Sequence, residues 1–156
     1  MCTRERGAPL LTGSAYNESI LFAQLGAAAG SPLSAETRQA LDNEFRCGAR
    51  DSAVARRQRA VPTWRYIFAN QDPLTNIGAT HGDDVHQVFG DGSGLSDIFQ
   101  DAWAAFARNP FSGLQKLGWP RYTCDGDTLV LIAPNKTVSV DFVSPDPYDE
   151  ACPHVA

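Results

Sequence analysis

The apolar positions of this chain change period several times, and each change predicts an element. Residues 9–14 (PLLTGS) form a short apolar run ending in small residues, the pattern of a buried strand. A turn at Tyr16–Asn17 follows and leads into apolar residues up to Phe22. Residues 26–30 (GAAAG) read as a flexible connection or a frayed helix end. Residues 34–45 hold good helix formers, with Leu41 and Phe45 four apart and Ser34 as the cap. Residues 51–60 read as a second helix, stopped by Pro62. Residues 63–69 (TWRYIFA) are rich in aromatics and predict a strand.

The second half continues in the same manner. Residues 70–80 read as a loop, 81–89 as a single helical turn, and 90–94 (GDGSG) as a flexible loop. The strongest helix lies over 95–109. There Leu95, Ile98, Phe99, Ala102, Trp103 and Phe106 share one face, and Pro110 ends the pattern. Residues 111–122 look irregular. Two β-rich runs, 128–133 and 137–142, flank Pro134-Asn135-Lys136 and read as a hairpin. The tail, 143–156, is rich in Pro and Asp and reads as irregular. No repeat, linker tract or domain boundary interrupts residues 1–156.

Composition narrows the classes of function. With 43% hydrophobic and 20% charged residues, the chain is expected to be globular. Its net charge of −5 argues against a nucleic-acid partner. Arginines cluster at Arg50, Arg56, Arg57, Arg59 and Arg65, which reads as a solvated helix face or a source of ion pairs. Four cysteines, Cys2, Cys47, Cys124 and Cys152, form no CxxC pair and no Cys/His group with zinc spacing, so no metal or cofactor is expected. A Cys47–Cys152 bridge is expected because it would tie down the carboxyl-terminal tail. Four free thiols are the alternative. The first ten residues lack the apolar run of a signal peptide, and no stretch of 18 apolar residues exists to span a membrane. On its face such a chain stays in the cytosol.

Candidate chemistry centres on histidine. His154 sits in the tail and receives no role. His81 lies between Gly78 and Gly82, which let the loop turn sharply and leave the imidazole accessible. The string from Gly78 to Gly90, GATHGDDVHQVFG, resembles the histidine loop of the type-B carboxylesterase family, which includes cholinesterases and fungal lipases. His81 then falls on the catalytic histidine, Asp84 where the family usually has Glu, and His86 at a position without a role. Phe45-Arg46-Cys47, the run VPTWRYIF from Val61, Gly118-Trp119-Pro120-Arg121-Tyr122 and Tyr148-Asp149-Glu150-Ala151-Cys152 resemble further family segments, in order. The run LTGSAYNESILF from Leu11 is similar to the segment carrying the triad glutamate. Glu18 is that match, and Ser19 stands where the family has Gly. Were φ > 0 needed there, Ser19 would strain the turn.

The resemblance implies an α/β fold: the C-terminal part of an α/β-hydrolase domain over 1–156, with an incomplete sheet and packing helices. It implies carboxylic-ester hydrolysis by a Ser-Glu-His mechanism, a small ester or lipid substrate, no cofactor and a secreted protein. Glu18 and His81 are the catalytic residues it places here. The nucleophile belongs on a G-x-S-x-G elbow, which these 156 residues do not contain. Ser93, in GDGSG, fails the pattern. The oxyanion-hole glycines are missing too, so the chain alone is expected to be inactive. The alternative is a non-catalytic interaction protein reusing half of the fold, with the apolar face of the 95–106 helix free to bind another chain.

Overall fold

The computed structural model describes residues 7–153 other than Pro73, Asn76, Asp91 and Cys124. Most of the expected loose stretch at 1–8, together with Cys2, Cys124 and His154, lies outside the described residues. Four strands, β1 (Leu10–Ala15), β2 (Thr63–Phe68), β3 (Leu129–Ile132) and β4 (Val140–Val143), form one sheet in the order β1-β2-β3-β4. The pairs β1–β2 and β2–β3 are parallel, and β3–β4 is antiparallel. All six residues of β2 are buried, as a strand flanked on both edges and covered on both faces requires.

Among the described residues six α-helices complete the architecture: α1 (Ser19–Ala28), α2 (Ala35–Gln58), α3 (Asp83–Phe89), α4 (Gly94–Arg108), α5 (Gly113–Lys116) and α6 (Asp146–Asp149). Alternation along β2 sends Trp64, Tyr66 and Phe68 to one face of the sheet, where Phe99, Ala102, Leu114 and Trp119 cover them. The apolar stripe of the 95–106 helix is therefore spent inside this chain. Phe99 and Ala102 are buried, and Leu95, Ile98, Trp103 and Phe106 are half-buried against the same core. On the opposite face, Ile67, Leu129 and Leu131 pack with Tyr16, Val143 and Tyr148. Among the described residues no helix is long and apolar enough to cross a membrane.

Several local expectations need correction. The two helices expected at 34–45 and 51–60 are one, α2. Ser34 caps it as expected, accepting from the Thr37 N–H at 3.1 Å. Its middle stays helical through Gly48 because Ala49, Arg50, Ala53 and Val54 form a buried face, which outweighs the ~1 kcal/mol cost of a mid-helix glycine. Residues 19–28 form α1. The turn expected at 81–89 is the seven-residue α3, and α5 and α6 interrupt segments expected to be irregular. Ser93 is the cap of α4, accepting from the Ser96 N–H at 3.2 Å. The 134–136 connection is a 3-10 turn with Asn135 and Lys136 at positive φ, and it does close an antiparallel pair.

The arginine cluster is a source of ion pairs, as expected, but at Arg65 and Arg50 it is not a solvated face. Arg65 is not solvated: it lies in β2 with its side chain wholly buried. Its guanidinium donates to both Asp149 carboxylate oxygens, at 2.6 and 2.7 Å, and sits over the Tyr122 ring at 5.6 Å. Arg50 is buried as well, bonding Asp51 and the Pro153 carbonyl. Beside them the Cys47–Cys152 disulfide joins α2 to the tail, with Cα atoms 5.4 Å apart. The tail is thus held at three points.

Two stability outcomes follow. Asp149→Ala leaves the Arg65 charge buried and unpaired, and chemical denaturation should show a loss of about 3–5 kcal/mol. A loss under 1 kcal/mol would mean that water reaches Arg65. Cys152→Ser opens a loop with a sequence separation of 105 and should cost about 2–4 kcal/mol. An unchanged denaturation midpoint would show that the other two anchors suffice.

Candidate functional site

The two candidate residues come from different connections. Glu18 follows the turn after β1, and His81 ends the loop after β2. Parallel pairing sets Ala15 opposite Phe68, so both connections leave the same edge of the sheet. Three backbone bonds then carry the second loop back to the first turn. The Ala79 N–H donates to the Ala69 carbonyl at 2.7 Å, the Asn17 N–H to the Ala79 carbonyl at 2.9 Å, and the Tyr16 N–H to the Phe68 carbonyl at 3.0 Å. The Asn17 side chain adds a fourth, its Oδ1 accepting from the Gly78 N–H at 2.6 Å.

Gly78 matters here for space. A Cβ at this position would lie 2.3 Å from the Ala69 carbonyl oxygen and 2.8 Å from the Tyr16 Cβ. Gly82 acts through its backbone instead, at φ +84° immediately before α3. Asp83 accepts from the Thr80 N–H at 2.7 Å, and Asp84 accepts from the buried Tyr66 hydroxyl at 2.8 Å. Burial, then the Asp84 charge, pushes the Tyr66 hydroxyl up from its ordinary pKa. That phenol stays protonated and donating.

The outcome is a pair. His81 Nδ1 lies 2.7 Å from Glu18 Oε2. The other carboxylate oxygen, Oε1, accepts from the Ala15 N–H at 2.6 Å. Glu18 is 7% exposed in its side chain and His81 43%, so the acid is enclosed while the imidazole reaches solvent. A carboxylate in its ionised form only accepts, so this contact selects the tautomer with the proton on Nδ1, in which Nε2 keeps its lone pair. Such an imidazole can take a proton at Nε2. No described residue makes a hydrogen bond to Nε2, and no described serine is bonded to His81.

Ser19 is not strained. It opens α1 and is not among the residues at positive φ. Its N–H and hydroxyl donate to the two Asp42 carboxylate oxygens at 2.8 and 2.9 Å. His86 is exposed on α3. Among the described residues, no group of three His, Cys, Asp or Glu could hold a metal ion.

Sequence reasoning missed Asn17, Asp42, Phe22, Phe45 and Tyr66. Asn17 had a signal: an asparagine in a turn commonly bonds backbone N–H groups with its side chain. Phe22 had one too, four residues after Glu18. Asp42 and Phe45 are brought in from another helix, and only tertiary structure reveals them.

The comparisons with known proteins are narrow. No family model matches the chain, and no solved structure matches it. A stretch of 80 residues is 34% identical to "Secreted lipase 5" of Gibberella zeae, covering 42% of this chain and 15% of that protein. This is a partial, lipase-like likeness, and the chain corresponds to a small share of that protein's length.

The loop before His81 yields a pH outcome. Asp72 accepts from Lys136 Nζ at 2.8 Å and from the Leu74 and Thr75 N–H groups, and the Lys136 bond leads in drawing its pKa down to about 2. A depressed carboxyl contributes stability above its unfolded value of about 4, and that contribution disappears as pH falls through about 2. NMR titration of Lys136→Met should show the Asp72 carboxyl moving up. An unmoved titration would contradict the contact.

Proposed function

We propose that this chain supplies the base and its orienting acid, His81 and Glu18, to a carboxylic-ester hydrolase of Ser-Glu-His type. The observation that carries the reading is the 2.7 Å contact between His81 Nδ1 and an enclosed carboxylate whose second oxygen is already fixed. The histidine-loop string and the partial lipase likeness support the same chemistry. The placement supports it as well, since open α/β sheets bind ligands outside the carboxyl ends of their parallel strands. On this reading residues 1–156 are the C-terminal part of an α/β-hydrolase domain.

The steps follow from the pair. A serine hydroxyl is a poor nucleophile until a base removes its proton. His81 Nε2 takes that proton as the serine oxygen attacks the ester carbonyl. Glu18 stabilises the imidazolium and keeps the ring in the tautomer with Nδ1 protonated. His81 then returns the proton to the leaving alcohol, and water hydrolyses the acyl-enzyme by the same route. The serine and oxyanion-hole donors come from a segment bearing a G-x-S-x-G elbow, which these 156 residues lack. The substrate class is a small ester or a lipid. The disulfide and the secreted relative fit an extracellular setting.

Two assays test the reading. The 156-residue chain should not hydrolyse p-nitrophenyl butyrate above buffer. Turnover abolished by His81→Ala would place a nucleophile within the chain and overturn the division of labour. In a longer product of the same gene bearing a G-x-S-x-G elbow, His81→Ala should lower kcat by on the order of 10⁴- to 10⁶-fold, and Glu18→Gln by about 10⁴-fold. Undiminished turnover in either variant would remove that residue's role.

A further inference from the structure

His81 has a second set of neighbours that acid–base chemistry does not require. The Phe22 ring centroid lies 5.1 Å from the imidazole and the Phe45 centroid 5.0 Å, tilted 43° and 46° to it. The two phenyl rings are nearly parallel to each other, 12° apart with centroids at 6.2 Å. These three distances describe a compact triangle, with the imidazole resting against both phenyls. Phe22 belongs to α1 and Phe45 to α2, so the seat exists only if those helices keep a fixed spacing.

One contact fixes that spacing. Ser19, three residues before Phe22, gives both its N–H and its hydroxyl to the carboxylate of Asp42, three residues before Phe45. Residues three apart lie on the same side of a helix. Ser19 is buried and Asp42 half-buried, so the bond is partly shielded from water. The next turn of α2 adds Arg46, which donates to the Tyr16 carbonyl at 3.2 Å in the turn before Glu18. A glycine at position 19 would keep the N–H bond and lose the hydroxyl one.

We infer that the Ser19–Asp42 clamp is a positioning device for His81: by spacing α1 and α2 it builds the Phe22/Phe45 seat that holds the imidazole ring in the orientation bonded to Glu18. The need is physical. With its side chain 43% exposed, His81 has one polar anchor among the described residues, at Nδ1. A single hydrogen bond leaves the torsion about Cβ–Cγ broad. Rings packed against the imidazole narrow it. The inference rests on His81 acting as the base, yet its test does not depend on turnover, so the two can fail separately.

The test is proton NMR of the His81 ring in the oxidised 156-residue chain, with the resonances assigned by His81→Gln. In the wild type, the currents of the two phenyl rings displace the Cδ2 and Cε1 protons from random-coil positions. Phe45→Leu should remove a large part of that displacement, and Phe45→Tyr should restore it. The deciding variant is Asp42→Ala, which leaves both phenylalanines in place. Its His81 protons should move toward random-coil values and broaden, while backbone amides of β2 and β3 keep their wild-type shifts. Unchanged His81 ring shifts in Asp42→Ala would overturn the inference, because the seat would then form without the clamp. If Asp42→Ala does not fold, Ser19→Ala is read by the same criterion: a smaller move in the same direction supports the clamp, and no move contradicts it.

Discussion

Ala15 and Phe68 face each other at the carboxyl ends of two parallel strands, and everything around His81 depends on that pairing. A parallel register makes the chain leave β1 and β2 at the same level. The turn carrying Glu18 and the loop carrying His81 then start as neighbours, although 63 residues separate the two in sequence. Backbone bonds from Tyr16, Asn17 and Ala79 convert this neighbourhood into a fixed distance. Gly78 permits it by leaving empty the space that a Cβ would take beside the Ala69 carbonyl. A one-residue slip of β1 against β2 would move every one of these contacts.

The register has its own support. β2 is buried throughout, with aromatic residues toward α4 and Arg65 toward α2. A fully buried arginine in a central strand is costly to desolvate, and the fold offsets this with two short bonds to Asp149 and the face of Tyr122. Asp149 lies in the same short tail as Cys152 and Pro153, so the ion pair, the disulfide and the Arg50 contact reinforce one another. The tail therefore closes the face of the sheet on which α2 lies. The same α2 reaches the candidate site one turn earlier, through Asp42, Phe45 and Arg46. A single helix thus links the anchored tail to the setting of the imidazole.

Legibility in the sequence followed the range of the interactions. β2, α4 and the Ser34 cap are written in local periodicity, so they could be read directly. His81 and Glu18 could be named because each sits in a recognisable string. The continuity of α2 could not be read: local propensity weakens at Cys47 and Gly48, and the helix persists because Ala49 and Ala53 pack against the rest of the fold. Arg65 could be read as a member of an ion pair but not as a buried one. An arginine among arginines suggests a wet surface, and only its strand position in a fully covered sheet shows otherwise. Asp42 and Phe45 were silent because their partners, Ser19 and His81, lie on other elements. The serine at 19 looked like a strained replacement for glycine, whereas the structure uses its hydroxyl.

The strap between Asn17 and residues 78–79 places His81 on Glu18. The most direct measurement is the low-field proton resonance of His81 Nδ1–H, compared between the wild-type chain and Asn17→Ala. The wild type should show a resolved resonance, and Asn17→Ala should lose it while the amides of β2 remain protected from exchange. An unaltered resonance in Asn17→Ala, or none in the folded wild-type chain, would contradict that placement.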